Sequence, residues 1–537
     1  MTVRPKVVAA EPGRQLRWVA SLPRIMTGEH GFTLSPADGG THLVQTETFR
    51  GLLARMSATT IGRTEAKFAE LNQALKQQAE GWQSPSVTRR AAACAAWPAT
   101  AGHVPVFLIL ICCAAKAGGY RDVMKVNPAG AGLVESQLER ITEHLQHRYI
   151  DAGRIAGCQV AVARHGHVGY FRSFGLRDRE RSLPVEEDTI WRIYSMTKPI
   201  TGVALMSLYE RGMFQLSDAV TRFIPAWRDL KVKERAADGS ERLVEPKRPM
   251  TVRDLLMHMS GLSFAGGRTL QELFSTENAG DGHAFAPGLR RGRTATLESM
   301  VEHYAGYPLE FHPGTQWLYS VSTDICGRLV EIISGQRFDD YLREVIFEPL
   351  GMTDTGFQVP DKKADRFAAN YLRNSAKKLV LVDDPQRSGY RQEPSFLSGG
   401  GGLVSTTGDY LRFCQMLLGG GEVDGVRILG RKTVELMTVN HLPGGADLRS
   451  FAMPGGYGEV GFEGMGFGLT VAVSQGPAAS QVIGSPGEYM WGGAASTIFW
   501  VDPVEDLTVV FMTQLLPSGA FNFRGQLKTL VYPAIAD

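Results

Sequence analysis

Strands are predicted only near the two ends of residues 124–537, and this placement constrains the fold more than any other feature. The predicted order is a helix, a hairpin, a long mixed middle, two more strands and a final helix: Glu135–Asp151, Cys158–Arg164 with Val168–Phe174, Ala495–Val501 with Leu507–Gln514, and Phe521–Ile535. This is not the regular alternation of strands and helices that builds a parallel sheet. The predicted fold class is therefore α+β.

The composition of the 537 residues is ordinary for a globular protein, with 43% hydrophobic and 21% charged residues. The net charge of +2 gives no support for a nucleic-acid surface. No apolar stretch reaches the roughly 18 residues of a membrane span, so a polytopic membrane protein is excluded. The six cysteines lack metal-type spacing and are interpreted as free thiols, without a metal site. No signal peptide begins at Met1, so the default location is cytoplasmic.

Residues 1–123 differ in pattern from the rest and divide into two pieces. Residues 1–80 contain three predicted strands and one long helix: Arg14–Leu22, Gly31–Ser35, Thr41–Thr48, and Thr59 to Glu80. Residues 81–123 include Val104–Ala115, an apolar run that is too short to cross a bilayer. This run resembles the core of a signal peptide but lies far from the start of the chain. Residues 81–123 are therefore predicted to be a poorly ordered linker.

Ser195-Met196-Thr197-Lys198 forms an S-x-x-K tetrad directly before an apolar helical run. If Ser195 begins this helix, Lys198 lies one turn later on the same face, and the serine lies at the positive end of the helix dipole. A lysine ammonium crowded into such a site has a lowered pKa and can act as a base. The tetrad alone is weak evidence, because a capping serine followed by a surface lysine gives the same pattern.

Four further blocks follow the tetrad: MTVRDLLMHMSGL (Met250–Leu262), FHPGTQWLYSVSTDICGRLVE (Phe311–Glu331), SGGGGLVSTTGDYLRF (Ser398–Phe413) and WGGAASTIFWVDP (Trp491–Pro503). With these blocks, residues from about 130 to 537 resemble the serine β-lactamase and penicillin-binding-protein superfamily. The closer resemblance is to its class C-like esterase branch, the family VIII carboxylesterases. It implies a β-lactamase/transpeptidase-like fold, in which an antiparallel sheet covered by the terminal helices packs against a mostly helical subdomain. The active site would lie in the groove between them.

The resemblance also implies a role for each site residue. Ser195 would be the nucleophile, and Lys198 and Tyr319 together would act as the general base and return the proton to the leaving group. The backbone N–H groups of Ser195 and Ala494 would form the oxyanion hole, with Ala494 on an edge strand just past two glycines. The substrate site would include Trp491, Gly492, Gly493 and Val321. Neither a metal nor a cofactor is implied.

Two departures from the β-lactamase pattern indicate the substrate. The family's Tyr-x-Asn motif is Tyr319-Ser320-Val321 here, so the amide that bonds a penicillin side chain is missing. The Lys-Thr-Gly motif is replaced by Trp491-Gly492-Gly493, as in the esterase branch, so the lysine that helps to hold a β-lactam carboxylate is missing too. Trp491 offers only an indole N–H and an apolar face. The predicted function is a serine esterase that hydrolyses short-to-medium acyl carboxylic esters, a small-molecule substrate class, with weak or no β-lactamase activity.

Three alternatives stay open on the sequence. A β-lactamase or D-Ala-D-Ala peptidase would use the same serine, although Trp491 and Val321 argue against it. An acyltransferase would differ only in admitting an alcohol in place of water. A non-catalytic binding protein could have kept the fold, although the intact Ser195, Lys198 and Tyr319 argue against it. An α/β-hydrolase is not supported, because the chain has no G-x-S-x-G motif.

Other conspicuous residues are given structural interpretations. His165 and His167 are interpreted as part of a hairpin turn and not as metal ligands. The run Gly399–Gly402 is interpreted as a tight turn beside the site, since no G-K-[ST] follows it. His258 is placed in a helix and interpreted as structural. Phe264–Thr294 is a long connection that could form part of a substrate lid.

Residues 14–80 carry a second resemblance. RQLRWVASLPRIMTGEHGFTLSPADGGTHLVQTETFRGLL, followed by FAELNQALKQQAE, is similar to the C-terminal half of a START-like helix-grip (SRPBCC) domain. The front half of such a domain is missing, so a closed ligand cavity cannot form from this piece alone. The resemblance implies a truncated helix-grip fragment, fused through the linker 81–123 to the hydrolase domain 124–537.

Overall fold

The computed structural model describes residues 125–537 except 237, 265–294 and 455, together with the backbone of four strands between residues 6 and 50. The chain divides into two units, Met1–Tyr120 and Arg121–Asp537. The three-part division predicted from the sequence, with boundaries after residues 80 and 123, stays a prediction. The predicted helix Thr59 to Glu80, the linker 81–123 and nearly all of the connection Phe264–Thr294 lie outside the described residues.

The first unit contains a four-stranded antiparallel sheet in the order β1-β2-β3-β4. Its strands are β1 (Lys6–Glu11), β2 (Gln15–Leu22), β3 (Met26–Ala37) and β4 (Gly40–Arg50). The three predicted strands are confirmed as β2, β3 and β4. The sequence does not predict β1, because KVVAAE has paired apolar residues instead of an alternating pattern. The START-like resemblance depends on a helix outside the described residues and stays a prediction.

The strands of the second unit are mostly short, and the long ones lie near its two ends. They are β5 (Gly157–Arg164), β6 (His167–Asp178), β7 (Leu183–Pro184), β8 (Ile190–Arg192), β9 (Val232–Arg235), β10 (Glu241–Val244), β11 (Asn370–Arg373), β12 (Leu379–Asp383), β13 (Val404–Thr406), β14 (Glu422–Val423), β15 (Val426–Arg427), β16 (Met465–Phe467), β17 (Ala472–Ser474), β18 (Tyr489–Gly493), β19 (Thr497–Asp502), β20 (Leu507–Thr513) and β21 (Leu515–Leu516).

The α-helices of this unit fill the interval between the long strands and also cap both ends. They are α1 (Glu135–Leu145), α2 (Thr197–Glu210), α3 (Val252–Leu256), α4 (Leu297–Tyr304), α5 (Ser322–Ser334), α6 (Phe338–Leu342), α7 (Glu348–Leu350), α8 (Thr407–Leu418), α9 (Arg431–Met437), α10 (Leu448–Phe451), α11 (Pro477–Ser480) and α12 (Phe523–Val531).

The centre of the second unit is an eight-stranded antiparallel sheet in the order β16-β17-β18-β19-β20-β5-β6-β7. Strand β20 pairs with β5 from Leu507 opposite Arg164 to Thr513 opposite Cys158, so the two ends of the unit meet inside one sheet. The predicted strands of the hairpin and of the C-terminal pair are confirmed as β5, β6, β19 and β20. The predicted first and last helices are confirmed as α1, which continues as a π-helical turn over Gln146–Ile150, and α12, which continues as a 3₁₀ turn over Tyr532–Ala534.

Helices cover both faces of this sheet. On one face, α1 packs beside α12, and Phe523 of α12 contacts Phe511 of β20 with ring centroids 4.9 Å apart. On the other face, Tyr410 of α8 contacts Phe499 of β19 at 5.2 Å. Phe499 pairs with Val510 in the β19–β20 register, so Phe499 and Phe511 point to opposite faces. Aromatic contacts on both faces therefore fix the sheet between helices.

The helical part of the unit is organised around α5, which packs against α2, α3, α4 and α6. Helix α2 is apolar nearly all round and is buried from Thr197 to Leu208. A Cβ atom at Gly202 would lie 2.4 Å from the Thr470 Oγ1 atom, so only glycine allows α2 to pack this closely on the segment before β17. The predicted α+β class, with a sheet next to a mostly helical subdomain, is confirmed.

Candidate active site

Ser195 lies where the chain turns from the sheet into the helical subdomain. A 3₁₀ turn, Tyr194–Met196, follows β8 and leads directly into α2. Tyr194 has a φ of 43°, and Asn370 Nδ2 donates a 2.8 Å hydrogen bond to its hydroxyl. A left-handed conformation is costly for a bulky side chain, so surrounding contacts must hold this turn. Ser195 is thus fixed at the N-terminal end of a buried helix, as the tetrad predicts.

The structure brings three of the predicted site residues together. Tyr319 donates a 2.6 Å hydrogen bond from its hydroxyl to Ser195 Oγ. Lys198 donates from Nζ to the same oxygen at 3.3 Å, and its Nζ also lies 4.5 Å from the centroid of the Tyr319 ring. All three side chains are buried. A serine hydroxyl in contact with both an amine and a phenol is the arrangement of a nucleophile beside a general base.

The pKa directions assign different protonation states to the lysine and the tyrosine. Burial lowers the pKa of Lys198 to about 8, although the negative charges of Asp324 and Glu459 oppose this effect. Burial raises the pKa of Tyr319 well above its ordinary value, and Glu459 adds to that rise. Near neutral pH the tyrosine therefore keeps its proton, whereas a minor fraction of Lys198 is already the neutral amine that can accept one, and this fraction grows as the pH rises.

The glycine run after β12 lies beside these residues, as the sequence predicts for a tight turn. Lys198 donates a 2.7 Å hydrogen bond from Nζ to the carbonyl oxygen of Gly400. Thr201, one turn further along α2, donates to the carbonyl oxygen of Gly399 at 2.7 Å. Asp324 accepts a 3.0 Å hydrogen bond from the Gly400 N–H. Asp324 is not among the residues singled out from the sequence. A signal was available, because a carboxylate on the otherwise buried face of the helix STDICGRLV indicates a residue with a specific role.

The position of Ala494 corrects one expectation. Ala494 does not lie on an edge strand but in the turn between β18 and β19, and β18 is the third strand of the sheet. Strand β17 nevertheless pairs only with Tyr489 and Met490 of β18. Within the described residues, the last part of β18 therefore pairs on one side only, with β19. The residues of β18 alone do not indicate how far the neighbouring strand β17 extends along it.

Gly493 brings β18 against the backbone that precedes Ser195. A Cβ atom at Gly493 would lie 2.3 Å from the carbonyl oxygen of Ile193. Thr497, across the turn, donates a 3.4 Å hydrogen bond to the same carbonyl oxygen. The end of β18, and with it Ala494, is thereby held close to the turn that carries Ser195. A glycine is required at residue 493 because no side chain fits between the two backbones.

Three other residues of the predicted site lie near Ser195, Lys198 and Tyr319: Trp491, Gly492 and Val321. None of these three forms a hydrogen bond with Ser195 Oγ. Trp491 is fully buried, with its ring centroid 5.5 Å from that of Tyr319 and 5.4 Å from that of Phe467. Val321 is fully buried at the start of α5. Beside Gly492, the Arg524 Nη2 atom would lie 3.1 Å from an added Cβ. Their part in substrate binding stays a prediction.

His258 lies outside the helix in which the sequence places it. Helix α3 ends at Leu256, and His258 follows with a φ of 57°. Its Nδ1 atom accepts a 3.3 Å hydrogen bond from the Ser320 N–H, and its ring lies 5.0 Å from that of Tyr319. Burial and the nearby Lys198 hold its pKa well below the ordinary value, so the ring is neutral. These contacts suit a residue that supports the segment carrying Tyr319.

In residues 125–537, apart from the gaps named above, no group of three or more His, Cys, Asp or Glu side chains could hold a metal ion. His165 Nδ1, in the turn between β5 and β6, lies 2.9 Å from Asp506 Oδ2 in the neighbouring turn between β19 and β20. No helix of that part of the chain is both long and apolar enough to cross a membrane. Cys158, Cys326 and Cys414 are buried free thiols.

Comparisons with known proteins identify the family and the fold of the second unit. A family model described as Beta-lactamase matches residues 138–531. An uncharacterized protein of Mycobacterium tuberculosis is 34% identical over 372 residues, 68% of this chain and 88% of that protein. Esterase EstB of Burkholderia gladioli is 31% identical over 383 residues, 68% of this chain and 88% of the esterase. The solved structure of EstCE1, a hydrolase with promiscuous acyltransferase activity, has a TM-score of 0.59 at 26% identity, covering 75% of this chain and 99% of EstCE1. These matches confirm the fold that the sequence predicts.

Proposed function

The chain belongs to the beta-lactamase family of serine hydrolases, and we propose that within this family it is an esterase. Its substrates would be short-to-medium acyl carboxylic esters, and the reaction would proceed through an acyl-enzyme on Ser195. The observation that carries the proposal is the contact of Ser195 Oγ with both Lys198 and Tyr319, at 3.3 and 2.6 Å.

The proposed reaction has two balanced steps. In the first, Ser195 Oγ attacks the ester carbonyl carbon while its proton passes to the neutral amine of Lys198, with the Tyr319 hydroxyl as the adjoining proton carrier. The proton is then returned to the departing alkoxide, and the alcohol leaves. In the second step a water molecule loses a proton to the same pair and attacks the acyl carbon. The carboxylic acid leaves, and Ser195 recovers its proton.

The oxyanion that forms in each step needs hydrogen-bond donors in place beforehand. The backbone N–H groups of Ser195 and Ala494 are proposed for this role. The fixed 3₁₀ turn at Ser195 and the close approach of Gly493 to Ile193 support the proposal, since both limit movement of these groups.

A neutral ester is favoured over a β-lactam by the residues in two family positions. Trp491 provides no positive charge for a substrate carboxylate, and Val321 provides no amide. The named esterase activity of EstB supports the same choice. We therefore expect the catalytic efficiency on p-nitrophenyl butyrate to exceed that on nitrocefin by several orders of magnitude. Both substrates are measured as kcat/KM with one enzyme preparation, and comparable values would contradict the esterase assignment.

Acyl transfer is the second candidate function, because EstCE1 combines hydrolysis with promiscuous acyltransferase activity. A transferase and a hydrolase share the acyl-enzyme and differ only in the molecule that attacks it. Product analysis with an added alcohol distinguishes them. An ester product that outweighs the free acid at modest alcohol concentration would identify a transferase.

The pKa of Lys198 leads to a defined pH dependence. The lysine acts as a base only when neutral, and with a pKa of about 8 it is mostly charged at pH 7 and mostly neutral at pH 9. We therefore expect kcat/KM for a neutral ester to rise about tenfold between these two pH values and then to level off. A buffer-corrected pH–rate profile measures this. A profile that is flat across this interval would contradict Lys198 as the base, and one that still rises above pH 10 would favour Tyr319.

The N-terminal piece is proposed to be a truncated START-like fragment joined by the linker 81–123. The support is the sequence resemblance of residues 14–80 together with the sequential antiparallel sheet β1-β2-β3-β4. If the fragment has no part in catalysis, a chain lacking residues 1–123 folds and keeps its esterase activity. Loss of folding or activity in that shortened chain would show that the fragment is a working domain.

A further inference from the structure

Asp324 is a buried carboxylate that the proposed reaction leaves without a role. It lies in the first turn of α5, five residues after Tyr319, and only 2% of its surface is exposed. Placing a carboxylate inside a protein is costly unless hydrogen bonds and nearby positive charge compensate for it. The contacts of Asp324 therefore indicate what the residue does.

The carboxylate holds the glycine turn in place. Ser398 donates a 2.6 Å hydrogen bond from its hydroxyl to Asp324 Oδ1, and the Gly400 N–H donates to the same oxygen at 3.0 Å. The fit is close, because a Cβ atom at Gly400 would lie 2.5 Å from Asp324 Oδ2. The turn is thus shaped against the carboxylate on one side.

The other side of the same turn faces the base. The Gly400 carbonyl oxygen accepts the 2.7 Å hydrogen bond from Lys198 Nζ. One residue therefore links the two groups: its N–H binds Asp324, and its C=O binds Lys198. A shift of the carboxylate would move the carbonyl that fixes the lysine amine in relation to Ser195.

Asp324 also acts on Lys198 through its charge. The acidic groups that favour the protonated lysine are Asp324 and Glu459, and Asp324 has the larger effect of the two. The other titratable groups near the lysine are neutral, because burial keeps the proton on Tyr319 and keeps it off His258. Asp324 is almost fully buried, and a buried charge is screened far less than an exposed one, so its charge acts strongly on the lysine.

We propose that Asp324 is a positioning residue for Lys198, which fixes the amine through Gly400 and holds its proton to higher pH through its negative charge. The proposal rests on the proposed function, since it takes Lys198 as the base. It differs from a purely structural role, in which Asp324 would only fasten α5 to the glycine turn.

The deciding variant is Asp324→Asn, which keeps an oxygen acceptor of the same shape and removes the charge. We expect the rising limb of the pH–rate profile to move to lower pH by about one unit, because an opposite charge that favoured protonated Lys198 is lost. The ratio of variant to wild-type activity would then be higher at pH values below the limb than at high pH. A limb that stays within about 0.2 unit of the wild-type limb in the folded variant would overturn the proposal.

Ser398→Ala is the matched variant, because it removes one hydrogen bond to Asp324 and leaves the charge. We expect its rising limb to stay in place while kcat falls several-fold at nearly unchanged KM. This variant also serves if Asp324→Asn does not fold, as judged by circular dichroism. Unchanged kcat combined with a lowered melting temperature in Ser398→Ala would then indicate a purely structural role.

A second readout separates this proposal from the esterase assignment. The rate at which a fluorophosphonate labels Ser195 depends on the base but not on the natural substrate. If simple esters are not hydrolysed, yet labelling shows the limb shift in Asp324→Asn, the esterase proposal fails and the role of Asp324 stands. If esters are hydrolysed and the limb does not shift by either readout, the role of Asp324 fails alone.

Discussion

Replacing Ser195 by alanine is expected to reduce kcat/KM for p-nitrophenyl butyrate roughly 10³–10⁶-fold, to near the background rate. The variant lacks the oxygen on which the proposed acyl-enzyme forms, and neither Lys198 nor Tyr319 can replace it. The fold should be unaffected, because alanine suits the start of an α-helix and the removed hydroxyl group is small. Mass spectrometry after brief exposure to the ester should show an acyl adduct on the wild-type chain and none on the variant.

Ser207→Ala provides the matched control for this experiment. Ser207 lies on the same helix, is also buried, and hydrogen bonds to Tyr341 at 2.8 Å and to the Ala204 carbonyl, away from the glycine turn. Its loss should lower stability slightly and leave the rate near that of the wild type. Equal activity of Ser195→Ala and the wild type would show that another residue is the nucleophile. Equal loss in both serine variants would indicate damage to α2 rather than loss of the nucleophile.

Replacing Gly493 by alanine is expected to reduce kcat about 10²–10³-fold, the effect of losing one oxyanion donor. The added methyl group would have to lie 2.3 Å from the Ile193 carbonyl oxygen and 2.4 Å from Thr497 Oγ1. Backbone atoms cannot move aside cheaply, so β18 must retreat from the turn that carries Ser195. The proposed donor at Ala494 would move with it. Steady-state kinetics with p-nitrophenyl butyrate measures the loss in kcat.

Gly492→Ala is the neighbouring comparison, because its added Cβ meets nothing closer than 3.1 Å and one of those contacts is the end of the Arg524 side chain. A flexible guanidinium can give way, so this variant should lose much less activity than Gly493→Ala. Similar losses in both variants would mean that the glycines serve another purpose than the close approach to Ile193. A Gly493→Ala variant with full activity would exclude Ala494 as an oxyanion donor held by this contact.

Local patterns in the sequence were sufficient for much of the fold. Some elements follow from the pattern of their own consecutive residues, and the structure confirms them: the strands β5, β6, β19 and β20 and the amphipathic helices α1 and α12. The prediction fails where a neighbour decides the outcome. Strand β1 lacks alternation, and the position of β18 in the sheet depends on β16 and β17, which are strands of three residues each. The placement of His258 past the end of α3 depends in the same way on its contacts with the segment around Ser320.

The candidate site likewise contains residues that a local pattern predicts and residues that only distant contacts bring together. The spacing of Ser195 and Lys198 corresponds to one helical turn, so the sequence indicated that the two side chains lie close together, and the resemblance supplied their proposed roles. Tyr319 could be added only through a resemblance, because nothing local indicates that a residue 124 positions from Ser195 lies 2.6 Å from it. The link from Asp324 through Gly400 to Lys198 joins residues up to 202 positions apart and was not predicted.

By itself, the sequence determined the fold class, the spacing of Ser195 and Lys198, and the replacement of the lysine and asparagine of a β-lactamase by Trp491 and Val321. The sequence predicted that the pKa of Lys198 is lowered, but only the tertiary structure decided by how much, and only it decided that Tyr319 keeps its proton. The pKa of Lys198 is lowered to about 8 because folding buries the amine, and it stays that high because folding also brings Asp324 and Glu459 near it. Desolvation and long-range charge arise from residues that are distant in the chain, so no local pattern records them.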